Sequence, residues 1–343
     1  MSAEIRAHDV LHRATATAFT GAVARVEHHG RPVWEQAYGF TRADSGALPV
    51  LRDTVFDLAS LTKLFVGTCA LAAVQENAVS LDTPLLDFMP EWRTTPHADI
   101  TLRMLLAHTS GMNSGADYRE LLNEDIARFA LLRPLLARPG ERVIYSDLGF
   151  IALGMLLQRI YGRSLESIVR VQFASRTLGY RPLAALRRSV PATEEDGWRG
   201  RVQGVVHDEK AHLLGGTAGH AGLFGAAADA ALVGERFLGP LFGRPSELCE
   251  AVAREAVTEH GHDSTLRRGL AWALKTSDDN SCGRFFSGAS FGHTGFVGTC
   301  IWVDPERDLN AVLLTNSLYF GRTDTRDLRA AFYEAVVKDF QDV

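Results

Sequence analysis

The sequence predicts an α+β protein whose antiparallel sheet is built from both ends of the chain and is flanked by helices. Near the N-terminus, residues 20–28 and 32–39 are strand-like runs around His29-Gly30-Arg31, which is typical of a β-hairpin. Near the C-terminus, the apolar runs 297–303 and 309–315 are joined by an Asp- and Pro-containing turn. Helical patterns fill the space between them, so we expect the strands of both termini to meet in one sheet.

The remaining predicted elements are helices and one further strand. They are helices over 4–18, from Ser60 through the apolar run 64–74, over 148–160, over 226–238 and over 324–340, and a strand over 268–275. The polar residues 243–265 predict a surface loop and a short helix. This order predicts a sheet subdomain of residues 1–75 and 225–343, a mostly helical inserted subdomain of residues 76–224, and a ligand site at their seam.

Composition and charge narrow the function classes. A chain of 343 residues with 46% hydrophobic residues can bury a large core. A net charge of −5 and a pI near 6.2 argue against a nucleic-acid partner. No run of 18 apolar residues predicts a membrane span, and the charged N-terminus does not have a signal-peptide pattern. We therefore expect a cytoplasmic protein as given, or a periplasmic one if a signal has been removed; the oligomeric state stays open.

Ser60 and Lys63 head the apolar helix and predict a nucleophile with its base. Residues three apart in a helix share a face, so the two side chains can meet. Serine needs an adjacent proton acceptor, and burial of the helix is expected to lower the pKa of Lys63 towards that role. A serine-capped helix with a structural lysine is the competing interpretation of this pair alone.

Two later motifs favour the catalytic interpretation. Tyr145-Ser146-Asp147 lies between a Pro-Gly turn and an apolar helix, and His293-Thr294-Gly295 lies next to an apolar strand. In order and spacing, these motifs resemble the serine β-lactamase and penicillin-binding superfamily. Tyrosine in the second motif and His-Thr-Gly in the third are similar to the branch of class C β-lactamases, D-alanyl-D-alanine carboxypeptidases and family VIII esterases.

The resemblance implies a β-lactamase/transpeptidase-like fold and a role for each matched residue. Tyr145 would relay a proton with Lys63, and the backbone N–H groups of Ser60 and Phe296 would form an oxyanion hole. His293, Thr294 and Gly295 would line the substrate groove. The mechanism needs no cofactor or metal.

Two residues depart from the usual family pattern. Histidine at 293, in place of lysine, removes a fixed positive charge and weakens the case for a substrate whose carboxylate is clamped. An ionised aspartate at 147, in place of asparagine, can only accept hydrogen bonds. Asp147 therefore either binds a substrate donor or pairs with Lys63, and pairing would raise the lysine pKa.

A glycine-rich segment, 214–224, contains His220. Four glycines within eight residues predict a loop that approaches something closely, either a wall of the groove with His220 near the substrate or a buried structural connection. The histidines around it fit no zinc template, so we predict no metal site.

These observations predict a serine hydrolase that forms an acyl-enzyme on Ser60 and cleaves a small ester or a D-amino-acid amide or peptide. A weak class C-like β-lactamase, an acyltransferase and a non-catalytic penicillin-recognising or structural relative are the alternatives.

Overall fold

The computed structural model describes residues 5–115, 121–263 and 266–340. Helices are found at both ends of the chain and throughout its middle. They are α1 (Arg6–Ala14), α2 (Thr62–Gln75), α3 (Leu102–Leu106), α4 (Ile126–Leu132), α5 (Asp147–Tyr161), α6 (Leu165–Phe173), α7 (Glu209–Leu213), α8 (Ala227–Leu241), α9 (Glu250–Ala256) and α10 (Arg326–Phe340). The predicted helices are confirmed in position, although α1 ends at Ala14 because Ala16 turns back with a φ of +65°. Residue 4, the predicted start of α1, lies outside the described residues.

The strands form one large antiparallel sheet and two small ones. They are β1 (Gly21–His28), β2 (Arg31–Gly39), β3 (Phe56–Asp57), β4 (Gly179–Tyr180), β5 (Glu194–Asp196), β6 (Gly200–Val202), β7 (Leu223–Gly225), β8 (Gly261–His262), β9 (Arg267–Arg268), β10 (Ala273–Leu274), β11 (Phe291–Thr294), β12 (Cys300–Asp304) and β13 (Leu309–Thr315). In the described part of the chain, the large sheet has the order β2-β1-β13-β12-β11-β10-β9-β8. Because β1 pairs with β13, the N-terminal hairpin and the C-terminal strands join in one sheet, as the sequence predicted.

The large sheet is covered by helices on both faces. Along β13, Val312 and Leu314 pack into one apolar cluster with α2, α5 and α8, whereas Ala311 and Leu313 pack into a second cluster with α1 and α10. Successive side chains of a strand point to opposite faces, so a strand with helices on both sides is apolar throughout. This explains why residues 311–314 are apolar without a break rather than alternating.

Two predicted strands were wrong in extent. Residues 268–275 form β9 and β10 rather than one strand, because Ala271 adopts a φ of +67° and its N–H donates to the Leu106 carbonyl at 2.9 Å. The predicted strand 297–303 begins only at Cys300, because Gly298, with a φ of +120°, completes a turn after β11. Strand β11, which carries His293, was not predicted as a separate strand.

The inserted segment 76–224 contains α3 to α7 in its described residues, together with short strands. The division into two subdomains remains a prediction. Among the described residues, none of the helices combines the length and apolar character needed to cross a membrane.

Candidate active site

A buried aspartate, Asp57, fixes the turn that carries Ser60. Its two carboxylate oxygens accept from the N–H groups of Ala59, at 2.8 Å, and His207, at 2.7 Å. Burial raises the pKa of Asp57 although both N–H groups oppose the shift. Ala59 adopts a φ of +47°, which costs a non-glycine residue about 1–2 kcal/mol. Ser60 lies in a 3₁₀ turn, Ala59–Leu61, that continues directly into α2. It is therefore not the N-cap residue of that helix.

Lys63 is completely buried and its ammonium group is fully hydrogen-bonded. Its Nζ donates to Ser60 Oγ at 3.1 Å, to Asp147 Oδ1 at 2.9 Å and to the His220 carbonyl at 3.2 Å. An ammonium has three protons, so each is used. Burial lowers the pKa of Lys63, but the Asp147 carboxylate and, to a smaller extent, Tyr145 outweigh it, and the net pKa is raised above its ordinary value. The expectation that burial would lower this pKa was wrong, and the alternative in which Asp147 pairs with Lys63 and raises the pKa agrees with the structure.

Asp147 lies between two lysines. Its Oδ1 accepts from Lys63, and its Oδ2 is 3.4 Å from the Nζ of Lys210. Burial would raise the pKa of Asp147, but the two ammonium groups and His220 hold it below its ordinary value. Both oxygens are therefore occupied by lysines, which favours the charge-partner interpretation over binding of a substrate donor.

Tyr145 is positioned by the start of α5. The next residue, Ser146, caps the helix: its Oγ accepts from the N–H of Gly149 at 2.8 Å and donates to the Asn113 carbonyl at 2.7 Å. The Tyr145 ring centroid is 4.8 Å from Lys63 Nζ. The phenol thus lies beside the Ser60–Lys63 pair, where the sequence motif predicted it.

His293 is a neutral, buried histidine on β11. Its Nδ1 donates to the Thr294 carbonyl at 2.9 Å. Burial, together with the charges of Lys63 and Arg268, lowers the pKa of His293 to about 3. The side chain therefore carries no charge near pH 7, as the sequence suggested.

The turn after β11 brings Phe296 to the mouth of the groove. The N–H of Gly295 donates to the Thr299 carbonyl at 2.7 Å, and a Cβ on Gly295 would lie 2.1 Å from Thr299 Oγ1 and 3.0 Å from the Leu58 carbonyl. Only glycine fits between this turn and the segment leading to Ser60. The Phe296 side chain is 59% exposed.

Two adjoining cavities form the groove. The one that contains Ser60, Gly295 and Phe296 has a volume of about 400 Å³, and the other, which contains His293 and Arg268, has a volume of about 500 Å³. Tyr145, Thr294 and Arg329 line both. The lining residues Thr294 and Gly295 were predicted.

The His220 side chain is 1% exposed and does not line the groove. Its Nε2 donates to Asp208 Oδ1 at 2.7 Å, while its carbonyl accepts from Lys63. The structure thus favours the buried connection over a substrate-contacting histidine. Asp147, Asp208 and His220 offer ligand atoms within 4.8 Å of one another, but ammonium groups already neutralise both carboxylates.

Sequence reasoning missed several residues of the site. Arg268 has its guanidinium carbon 5.5 Å from the Tyr145 ring centroid, and the ring centroids of His108 and Tyr145 are 4.6 Å apart. Lys210 is a neighbour of Asp147. The only available signal was that Asp208 and Lys210 directly precede the glycine-rich segment; nothing local distinguishes Arg268 or His108.

Comparison with known proteins agrees with this geometry. The family model described as Beta-lactamase matches residues 8–335. The chain belongs to this family. Its resemblance to the β-lactamase and penicillin-binding superfamily, and the fold that this implied, are therefore confirmed.

Relatives of this β-lactamase-family chain are named as hydrolases. A putative D-alanyl-D-alanine carboxypeptidase of Escherichia coli (strain K12) is 27% identical over 328 residues, covering 83% of this chain and 75% of the relative. An N-acetylmuramyl-L-alanine amidase of Bacillus subtilis (strain 168) is 27% identical over 350 residues, covering 90% and 79%. The solved structure of EstCE1, a hydrolase with promiscuous acyltransferase activity, has a TM-score of 0.77 at 21% identity, covering 96% and 97%. The family and the names of the two curated relatives indicate a hydrolase, and the likeness to EstCE1 agrees with the fold.

Proposed function

We propose that the protein is a serine hydrolase that works through an acyl-enzyme on Ser60 and cleaves a D-amino-acid amide or peptide, or a small ester. The observation that carries the proposal is the contact of 3.1 Å between Ser60 Oγ and Lys63 Nζ, with the Tyr145 ring beside it. A nucleophile and proton-handling groups within contact distance are the signature of covalent acyl transfer.

Tyr145 is the proton acceptor in the proposed mechanism, with Lys63 as its cationic partner. A lysine that donates all three protons cannot accept a fourth, so another group has to accept the Ser60 proton. The Tyr145 ring lies beside two cations, with its centroid 4.8 Å from Lys63 Nζ and 5.5 Å from the guanidinium carbon of Arg268. Tyr145 takes the Ser60 proton as Oγ bonds to the substrate carbonyl carbon, and then gives that proton to the leaving amine or alcohol. In deacylation, water gives a proton to Tyr145 and attacks the acyl-enzyme carbonyl. The acid is released, and the proton returns to Ser60 Oγ.

The proposed oxyanion hole consists of the backbone N–H groups of Ser60 and Phe296. The contacts of Gly295 with Thr299 and the Leu58 carbonyl support this role, because they set how closely the two segments approach. Donors fixed before the reaction need no rearrangement when charge develops on the carbonyl oxygen.

A substrate with a free carboxylate is favoured over a neutral ester. His293 supplies no charge, but Arg268, Arg326 and Arg329 line the larger cavity. Guanidinium groups bind carboxylates in bidentate geometry. Histidine at 293 weakened the case for a clamped carboxylate in the sequence, but these three arginines are candidates for that clamp. Relatives named as a carboxypeptidase and an amidase support a peptide substrate.

The test compares wild type, Ser60→Ala and the exposed-serine control Ser189→Ala on three substrates: a peptide ending in D-alanyl-D-alanine, a p-nitrophenyl ester and a cephalosporin. We expect release of D-alanine or p-nitrophenol by wild type and the control, no turnover by Ser60→Ala, and an acyl adduct on Ser60 by intact-protein mass spectrometry. Turnover that survives in Ser60→Ala would refute the mechanism.

The same assay separates the alternatives. Rapid cephalosporin turnover would identify a β-lactamase, transfer of the acyl group to an added alcohol would identify an acyltransferase, and a stable adduct without product would identify a non-catalytic relative. Arg268→Gln should raise KM for the free-acid peptide but not for the same peptide with an amidated C-terminus.

A further inference from the structure

Charged side chains form a closed ring behind Ser60, beginning and ending at Lys63. Asp147 contacts Lys63 at 2.9 Å and lies 3.4 Å from Lys210. The Nζ of Lys210 is 3.6 Å from Asp208, which accepts from His220 at 2.7 Å. The carbonyl of His220 then accepts from Lys63 at 3.2 Å. Cations and carboxylates alternate from Lys63 through Asp147 and Lys210 to Asp208, and the ring closes through the His220 side chain and its backbone carbonyl. A change in one charge therefore alters the interactions of the next.

Lys210 is held in the ring by its local structure. It lies in the first turn of α7, whose N-cap residue Asp208 accepts from the N–H of Ala211 at 2.8 Å. A Cβ on Gly115 would lie 3.2 Å from Lys210 Cδ, so the lysine stem packs against the loop before α5. Burial lowers the pKa of Lys210, but Asp208 and Asp147 outweigh it and raise the pKa, so the side chain stays charged at neutral pH.

We infer that Lys210 is a positioning residue of the proposed hydrolytic site, acting through Asp147 to favour transfer of the Ser60 proton. The inference rests on the proposed function. With Lys63 as its one cationic partner, Asp147 would keep a second carboxylate oxygen without a cation, close to Lys63 and Tyr145. The ammonium of Lys210 on that oxygen offsets part of the negative charge, so less free energy is needed to move a proton off Ser60.

Other titratable groups lie near Lys210 and Tyr145, and they are unchanged in the variants used for the test. Glu209, next to Lys210 in sequence, opposes its charge, and Arg268 lies on the far side of Tyr145. His293 and His108 are buried and have lowered pKa values, so both are neutral near pH 7.

The experiment measures the pH dependence of Ser60 activation in wild type, Lys210→Met, Lys210→Gln and Lys210→Arg, with the exposed Lys338→Met as control. A fluorophosphonate probe is used because its reaction needs no substrate pocket: Ser60 Oγ bonds to phosphorus, fluoride leaves and the Oγ proton passes to the acceptor. The second-order labelling rate and kcat/KM for the p-nitrophenyl ester are each measured from pH 5 to 10.

We expect the acid limb of both profiles to move to higher pH, by on the order of one pH unit, in the two neutral variants, which is about tenfold slower labelling on that limb. The rate on the alkaline plateau should stay at the wild-type value. Lys210→Arg, which keeps the positive charge, should show the wild-type acid limb. A merely structural role would instead lower the plateau at every pH.

A neutral variant that folds, judged by thermal unfolding, and gives the wild-type profile would overturn the inference. So would a shift that persists undiminished when Lys210→Met is added to Asp147→Asn, because Lys210 could not then act through Asp147. Failure of the proposed function would give a different result. Ser60→Ala would then be labelled as fast as wild type, whichever residue is present at position 210.

Discussion

Replacing Asp147 by Asn removes the carboxylate shared by Lys63 and Lys210 and leaves two cations facing each other in the interior. Lys63 is fully buried and the Lys210 side chain is 12% exposed, so water cannot take over the role of the carboxylate. Removing one partner of a buried ion pair costs about 3–5 kcal/mol. With an unfolding entropy of about 2.1 cal/mol/K per residue over 343 residues, this corresponds to a fall in Tm of about 4–7 °C.

The pH dependence of this loss has a definite sign. In the wild type, Asp147 raises the pKa of Lys63, so the stabilisation is complete below pH 10.5, the ordinary lysine value, and is lost as pH rises through the folded-state pKa. In Asp147→Asn the largest influence that raises the lysine pKa is gone, while burial, which lowers it, remains alongside the smaller effect of Tyr145. The folded variant therefore releases the Lys63 proton at lower pH than folded wild type, and it gains stability relative to wild type as pH rises. The Tm gap between the two proteins should therefore narrow from pH 7 to pH 10.

Thermal unfolding followed by circular dichroism at pH 7, 8.5 and 10 measures this gap, with the exposed Asp53→Asn as the matched control. A Tm gap below about 1 °C at pH 7 would mean that the repulsion between Lys63 and Lys210 costs little stability when the carboxylate is absent. A gap that widens with pH would refute the assigned charge states.

The remaining predictions concern the groove and the turn before Ser60. Burial lowers the pKa of His293 to about 3, while an unfolded histidine takes up a proton near pH 6.5. Each pH unit below 6.5 should therefore lower the unfolding free energy of wild type by about 1.4 kcal/mol, a loss that His293→Asn does not share. Urea unfolding at pH 7, 6 and 5 measures this difference, and equal losses in both proteins would contradict it. Gly295→Ala places a Cβ 2.1 Å from Thr299 Oγ1 and should lower kcat about 100-fold or more by displacing the proposed oxyanion donor, the N–H of Phe296. The control is Gly288→Ala, because a Cβ there meets no atom within 4 Å; matching ester-hydrolysis rates for the two variants would show that the turn can move. Ala59→Val puts a β-branched residue at a φ of +47° and should lower the unfolding free energy by about 1–3 kcal/mol, which denaturant titration checks; wild-type stability would mean that the turn relaxes.

The sequence alone determined the family, the sheet joined from both termini and the positions of Ser60, Lys63 and Tyr145. Local patterns carry this information. The spacing of Ser60 and Lys63 follows from the helix repeat, and uninterrupted apolar stretches such as 311–314 follow from burial on both faces. The proximity of Tyr145 followed from the family motif, since no local rule joins positions so far apart in the chain.

Only the tertiary structure decided the charge of the site. The protonation of Lys63 depends on Asp147, 84 residues away in sequence, and on the carbonyl of His220, 157 residues away. The same holds for the break between β9 and β10, which depends on a hydrogen bond from Ala271 to Leu106. Periodicity reports which residues are buried, but the pKa of a buried group depends on which charges and dipoles lie within a few ångströms of it, and that is set only when distant segments pack together.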